Sequence, residues 1–293
     1  MRVIASSVIR TSQKGEAHGG LYLVDLSTGE CELQLDWEDP NISWKGRGGE
    51  RGLRGIAVDD NYVYCAGAKN LYVLDRAFNL AAIHPCPRMA SGHEVCLHDG
   101  LLYIADTQYD SVLVFDTGSR MFLRGYCLRG KRLRVFESMD AGPKRRDTLH
   151  VNNVHWHNGH LYVAGFSLGG LYRIHNMALE KVVGTPSHTH NARPFRDGVL
   201  YNYTKKDCVV YASRLGEVVQ SWPVPRYEGV EDIPGDCARQ AWGRGLCVKD
   251  NLVITGSSPA TIQVYDLERE ETVKIVNISM DVRNAIHGLE LWE

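Results

Sequence analysis

The chain has 293 residues, 33 basic and 35 acidic side chains, a formal charge of -2 and a hydrophobic share of 44%. That share excludes a disordered chain, and near-neutrality removes any global attraction for nucleic acid or an anionic membrane surface. No apolar run approaches the roughly 20 residues of a membrane helix, and Met1-Arg2-Val3-Ile4 leads into a strand pattern rather than a signal peptide, so a cytoplasmic protein is expected.

In chain order, the first strand patterns are Val3-Ile4-Ala5-Ser6-Ser7 and Leu21-Tyr22-Leu23-Val24-Asp25. An internal repeat then emerges around short turns. Its copies run from Leu53 to Tyr64, Gly92 to Tyr103 and Val151 to Tyr162, with two more around Asn191 to Tyr201 and Arg244 to Ile254. In the second copy Val95-Cys96-Leu97 passes through Asp99-Gly100 into Leu101-Leu102-Tyr103-Ile104. Each copy continues with a further apolar pair and a polar end, as in Leu71-Tyr72-Val73-Leu74-Asp75 and Ile262-Gln263-Val264-Tyr265-Asp266. Alternation with period two, rich in Val, Tyr and Leu and bounded by Gly, Asp and Asn, is the strand signal; helical periodicity is absent.

From Asp60 to Asp99 and from Asn158 to Asp197 the turns recur at a spacing of 39, about one four-stranded blade. The extra residues fall at approximately 36 to 53, 129 to 149 and 227 to 243, and connections of that length on one face suggest a lid or rim over a site. The last stretch, Ile286 to Trp292, reads as a sixth first strand whose follower is Val3 to Ser7. The expected fold is therefore all-β: a six-bladed β-propeller in one domain over residues 1–293, its ring closed by 286–293 joining the N-terminal blade.

The repeat resembles the six-bladed propellers of the broad group that includes NHL-repeat, strictosidine-synthase-like and gluconolactonase-like proteins. Gly46-Arg47-Gly48-Gly49 with Arg51-Gly52-Leu53-Arg54-Gly55, Gly256-Ser257-Ser258-Pro259, and Asp281-Val282-Arg283-Asn284-Ala285-Ile286-His287-Gly288 are similar to strings of an uncharacterised bacterial propeller family. The resemblance implies the fold and no reaction, because propellers host hydrolases, lyases, isomerases and scaffolds alike.

Equivalent positions near the start of each first strand are His287, Arg54, His93, Asn152, Asn191 and Arg244, with His150 and His190 one or two residues earlier in their own copies. First strands of a propeller line its channel, so these side chains are expected at the channel mouth. Imidazoles are the commonest ligands for several divalent metals, and His93, His150, His190 and His287, or three of them, are the candidate ligands of one ion such as Fe, Zn or Mn. The competing readings are a metal-free small-molecule site and a hydrated channel rim.

Arg54 and Arg244 suit a carboxylate or phosphate, with Asn152 and Asn191 as further substrate contacts. Salt bridges to Glu50 or Asp236 are the structural alternative for the arginines. Asp106 and Ser258 are candidate supporting groups behind the site. Glu94 follows His93 directly, and strand alternation predicts that it points to the opposite side.

His155, His157 and His160, close to the Asn158-Gly159 turn, read as surface histidines, as do His18, His84, His98 and His175. Lys144-Arg145-Arg146 reads as a solvated loop. The eight cysteines show no CxxC pair, which fits a reducing compartment, and no phosphate loop is present. Together these features predict a metal-assisted lyase, isomerase or hydrolase acting on a small anionic metabolite. The rival is a non-catalytic propeller that binds a protein or small ligand through its rim loops.

Overall fold

The computed structural model describes the chain except residues 46–49, 131, 138, 140 and 236. Gly46-Arg47-Gly48-Gly49 and Asp236, singled out above, lie outside the described residues. Among those described there is no helix, so none is long and apolar enough to cross a membrane. The strands are β1 (Arg2–Ile9), β2 (Gly20–Asp25), β3 (Cys31–Asp36), β4 (Ile56–Val58), β5 (Tyr62–Ala66), β6 (Asn70–Asp75), β7 (Leu80–Pro85), β8 (Gly92–His98), β9 (Leu101–Asp106), β10 (Ser111–Asp116), β11 (Met121–Arg129), β12 (Arg132–Phe136) and β13 (Val151–His157). They continue with β14 (His160–Gly165), β15 (Leu171–His175), β16 (Ala178–Val183), β17 (Thr189–Phe195), β18 (Gly198–Tyr203), β19 (Cys208–Ser213), β20 (Val218–Pro223), β21 (Arg244–Lys249), β22 (Leu252–Ser257), β23 (Thr261–Asp266), β24 (Glu271–Asn277) and β25 (Asn284–Trp292).

Two-residue turns explain the repeated pairing. Asp99 and Gly100 both take positive φ (47° and 72°), as do Asn158 and Gly159 (46° and 77°). That is the twist a tight hairpin requires, and Asp-Gly and Asn-Gly reach it most readily.

The chain divides into two compact units, Met1–Ile56 with Pro223–Glu293, and Ala57–Trp222. The first unit contains the sheet β25-β1-β2-β3 and the sheet β21-β22-β23-β24. The expected pairing of the chain ends is present: β1 runs antiparallel to β25 from Arg2 opposite Trp292 to Ile9 opposite Asn284. Between the two sheets Val3, Ala5, Val24, Cys247, Ile254, Ile262, Ile286 and Leu289 form one buried cluster. Leu291 and Trp292, in contrast, are only half-buried. Gly288 admits no side chain, since a Cβ there would lie 2.2 Å from the Arg54 carbonyl oxygen.

The second unit contains β5-β6-β7, extended by β4 at the unit boundary, and the sheet β17-β18-β19-β20. A nine-stranded sheet, β13-β14-β15-β16-β12-β11-β10-β9-β8, lies in the same unit. It consists of two four-stranded meanders joined through the extra strand β12, which pairs with β16 at Arg132 opposite Ala178. The stretch 129–149, expected to be a connection, thus contains a strand, because Arg132–Phe136 folds back on β11 as a hairpin. The stretch 227–243 of the first unit is tied down as well: Gln240 accepts from Tyr227 N at 2.8 Å and donates to the carbonyls of Tyr227 and Val230.

Candidate metal centre

Three histidines of the second unit meet. His93 lies in β8, His150 directly precedes β13 and His190 lies in β17, so each comes from the start of a first strand in a different meander. One ligand nitrogen from each falls within 4.8 Å of the others. Ring centroids are 6.2 Å apart for His93 and His150 and 6.0 Å for His93 and His190. Metal–imidazole bonds of about 2.0–2.1 Å set tetrahedral nitrogens about 3.4 Å apart, so a small side-chain adjustment closes the group around an ion.

The backbone at these starts departs from ideal strands. Register shifts fall between Gly92 and Val95, between Val151 and Asn153 and between His190 and Arg193. His150, His188 and Asn191 take positive φ (52°, 69° and 52°). Bulges of this kind break the alternation and re-aim side chains.

Carboxylates hold the approaches. Asp147 Oδ1 lies 2.7 Å from His150 Nδ1, which leaves Nε2 as the ligand nitrogen and orients the ring. Buried Asp110 accepts from the Thr148, Leu149 and His150 amides at 2.8–3.0 Å and from Thr148 Oγ1 at 2.7 Å, fixing the segment that delivers His150. Asp106 does the same ahead of His93, accepting from Ala90, Ser91 and Tyr109 N, each at 2.8 Å. Burial pushes its carboxyl up to about 6 against the pull of those three amides. Phe166 sets its edge against both His150 and His190, with centroids at 5.7 and 5.9 Å.

Glu94 corrects the alternation argument. The bulge after Gly92 turns it inward, where it is buried and accepts from Asn191 Nδ2, while Asn191 Oδ1 accepts from Asn202 Nδ2 at 3.0 Å. Asn152, fully buried, donates to the Thr189 carbonyl at 3.0 Å, next to His190, and its Oδ1 has no hydrogen-bond partner among the described residues. The asparagines therefore link the segments that carry the histidines.

The remaining candidates belong to the first unit and are not part of the three-histidine group. His287, Arg54 and Arg244 are buried, and their backbones are neighbours: Gly288 abuts the Arg54 carbonyl, and a Cβ on Gly245 would lie 3.0 Å from Leu289 Cβ. The Arg244 guanidinium lies 4.9 Å from the Trp242 ring centroid. Ser258 Oγ donates to the Arg239 carbonyl at 2.5 Å.

Several histidines read as surface groups are not, His84 among them, half-buried with its ring 4.9 Å from that of Phe115. His18 is buried beside Ser12, with its ring 4.7 Å from that of Trp44, and His155 is half-buried. Burial first, then the Arg51 guanidinium, holds His18 below the ordinary histidine value; burial, then Arg193 and His157, holds His155 well below it. Both stay neutral in the folded chain at pH values where the unfolded chain, titrating near 6.5, takes up protons. Stability should therefore be lost as pH falls below about 6.5, by up to about 1.4 kcal/mol per pH unit per histidine. Urea midpoints at pH 7.5 and 5.5 check this: wild type should drop and His155→Gln should drop less, whereas equal slopes would contradict the assignment.

No protein-family model matches the sequence, and no curated protein is significantly similar to it. Among solved structures, the chain is similar to a protein of unknown function from Bacteroides caccae, with a TM-score of 0.62 and 13% identity over 98% of this chain and 97% of that one. It is also similar to a catalytically inactive virginiamycin B lyase from Staphylococcus aureus with quinupristin, with a TM-score of 0.49 and 9% identity over 79% and 72% of the two chains. The first likeness spans the whole chain and concerns the fold alone.

Proposed function

We propose that His93, His150 and His190 bind one divalent metal ion, Fe, Zn or Mn, and that the protein is a metal-assisted lyase, isomerase or hydrolase acting on a small anionic metabolite. The observation that carries this reading is the meeting of three imidazoles from three meanders, one of them oriented by a carboxylate. Three protein ligands leave a coordination position for water or substrate, as catalytic metals need. The ion would polarise a carbonyl or activate a water. Glu94 and Asn191 supply a buried acceptor and a buried amide beside the histidines.

We further infer that the six four-stranded meanders are the blades of one six-bladed propeller, a reading supported by the repeat spacing and by the pairing of β1 with β25. Eight cysteines present as thiols suit a reducing compartment such as the cytoplasm.

Elemental analysis tests the metal reading. Wild type reconstituted with iron, zinc or manganese should retain one ion per chain. A protein that retains none of the three would favour the non-catalytic scaffold instead.

For the anion we propose Arg54 and Arg244, whose planar guanidiniums match a carboxylate or phosphate. Arg54→Gln and Arg244→Gln should keep the metal and weaken binding of an anionic ligand about tenfold or more, the scale of one charge-assisted hydrogen bond. Calorimetry with small carboxylates and phosphate on metal-loaded protein reads this directly. Unchanged affinities in both variants would remove the arginines from ligand recognition.

A further inference from the structure

Arg51 is among the largest fully buried side chains of the protein, with a relative exposure of 0%. Its Nη2 donates to the Trp44 carbonyl at 3.0 Å, but Nε and Nη1 have no hydrogen-bond partner among the described residues. No carboxylate among the described residues forms an ion pair with it, and residues 46–49, just before it, contain no acidic side chain. The nearest acid in sequence, Glu50, accepts from the Ser43 amide at 2.9 Å. A buried cation with two donor nitrogens lacking acceptors is strongly disfavoured, and native chains satisfy such groups with a partner, water or a ligand.

The backbone that carries Arg51 is rigidly placed. Gly52 follows with φ of 69°, and a Cβ there would lie 2.5 Å from the Ser7 carbonyl oxygen and 2.7 Å from Val8 Cα. Leu53 is fully buried and donates to the Ser7 carbonyl at 3.3 Å. These contacts tie the backbone next to Arg51 to β1. Around it stand aromatic and polar groups: Trp44, with its ring centroid 5.4 Å from Arg51 Cζ, and His18, which packs edge-on against Trp44 and is hydrogen-bonded to Ser12. Burial lowers the guanidinium's proton affinity, with the Glu16 charge partly opposing it, and burial with Arg51 holds the His18 ring below its ordinary value against the charges of Glu38, Asp36 and Glu16.

We propose that Arg51 is the anchor of a small-oxyanion site in the first unit, with Trp44 and His18 as its aromatic walls, and that the ligand is a carboxylate or a phosphate. Nε and Nη1 supply donors to the oxyanion, and the neutral His18 ring adds a polar edge without a second charge. Trp44, half-buried over the guanidinium, is the side chain that an entering anion displaces. The site is independent of the three-histidine group: it rests on a different unit and a different observation, and it does not require a metal.

Thermal melts and tryptophan fluorescence of the full chain test this, in acetate, phosphate, sulfate and chloride at equal ionic strength. Sulfate and phosphate strengthen burial in any protein, so only the part of the effect that depends on Arg51 counts. Wild type should melt at least about 2 °C higher in phosphate or acetate than in chloride, with a saturable change in fluorescence. The more effective of the two anions identifies the ligand class. Arg51→Met should lose the anion-dependent part and melt in chloride at the wild-type temperature or above it, because an apolar side chain of similar length replaces a buried charge that has no ion-pair partner among the described residues. Arg51→Lys, which keeps a charge but not the planar donors, should bind at least about tenfold more weakly. The proposal is overturned if no anion raises the wild-type melt above that of Arg51→Met, or if Arg51→Met melts far below wild type in chloride, which would make Arg51 a structural residue.

Discussion

Replacing His190 by alanine should lower the affinity of the protein for a divalent ion by more than about 100-fold, beyond the 10–100-fold that changes behind the ligands usually cost. His190 is 1% exposed, and its ring lies between His93 and the edge of Phe166. Without it two imidazoles remain, and two neutral nitrogens hold an ion poorly. The same substitution should also lower stability, because it empties buried space next to Asn152 and Asn191. His93→Ala provides the cleaner comparison. That residue is 8% exposed, so the loss of metal should come with a smaller change in melting temperature.

Asp147→Asn should cost less affinity than either of these. The partner of His150 Nδ1 loses its charge, and affinity should drop by about 10–100-fold while all three ligands remain. Competition with a chromophoric chelator measures all three variants. Equal affinities across wild type, His93→Ala and His190→Ala would rule out a centre built on these histidines.

Deleting residues 286–293 should leave a chain that is unfolded or insoluble. The deletion removes most of β25, and with it the partner of β1 from Arg2 to Ser7, leaving a row of unpaired backbone groups on an edge made to be covered. Ile286 and Leu289 are lost from the cluster that joins the two sheets of the first unit. Each contributes about 1.5–3 kcal/mol by burial, against a typical total stability of about 5–15 kcal/mol. The contact between Gly288 N and Ser6 Oγ at 2.8 Å also goes, and Ser6 is the residue that donates to the Arg54 carbonyl. Loss of this one strand therefore loosens the segment that carries Arg51 as well. Expression, solubility and circular dichroism of the truncated chain decide the point: a soluble product with the parent's melting temperature would show that β25 is dispensable.

The residues by themselves determined the repeating strand pattern and the pairing of the two chain ends, but not β12, which lies in a stretch that reads as a connection. These are local properties: period-two alternation belongs to each segment, Asp-Gly and Asn-Gly carry their own turn geometry, and an unpartnered strand pattern at each end implies a shared sheet. The four candidate histidines were legible for the same reason, as departures from an apolar repeat. Tertiary structure decided which of them meet, gathering His93, His150 and His190 in one unit while His287 lies in the other. It decided the side on which Glu94 lies, because a bulge inserts a residue into one strand of a pair without altering the hydrophobic pattern on either side. It also decided that Arg51 and His18 are buried. A loop has no periodicity from which burial can be read, and a charged or polar residue in it looks solvated until the strand it packs against is known.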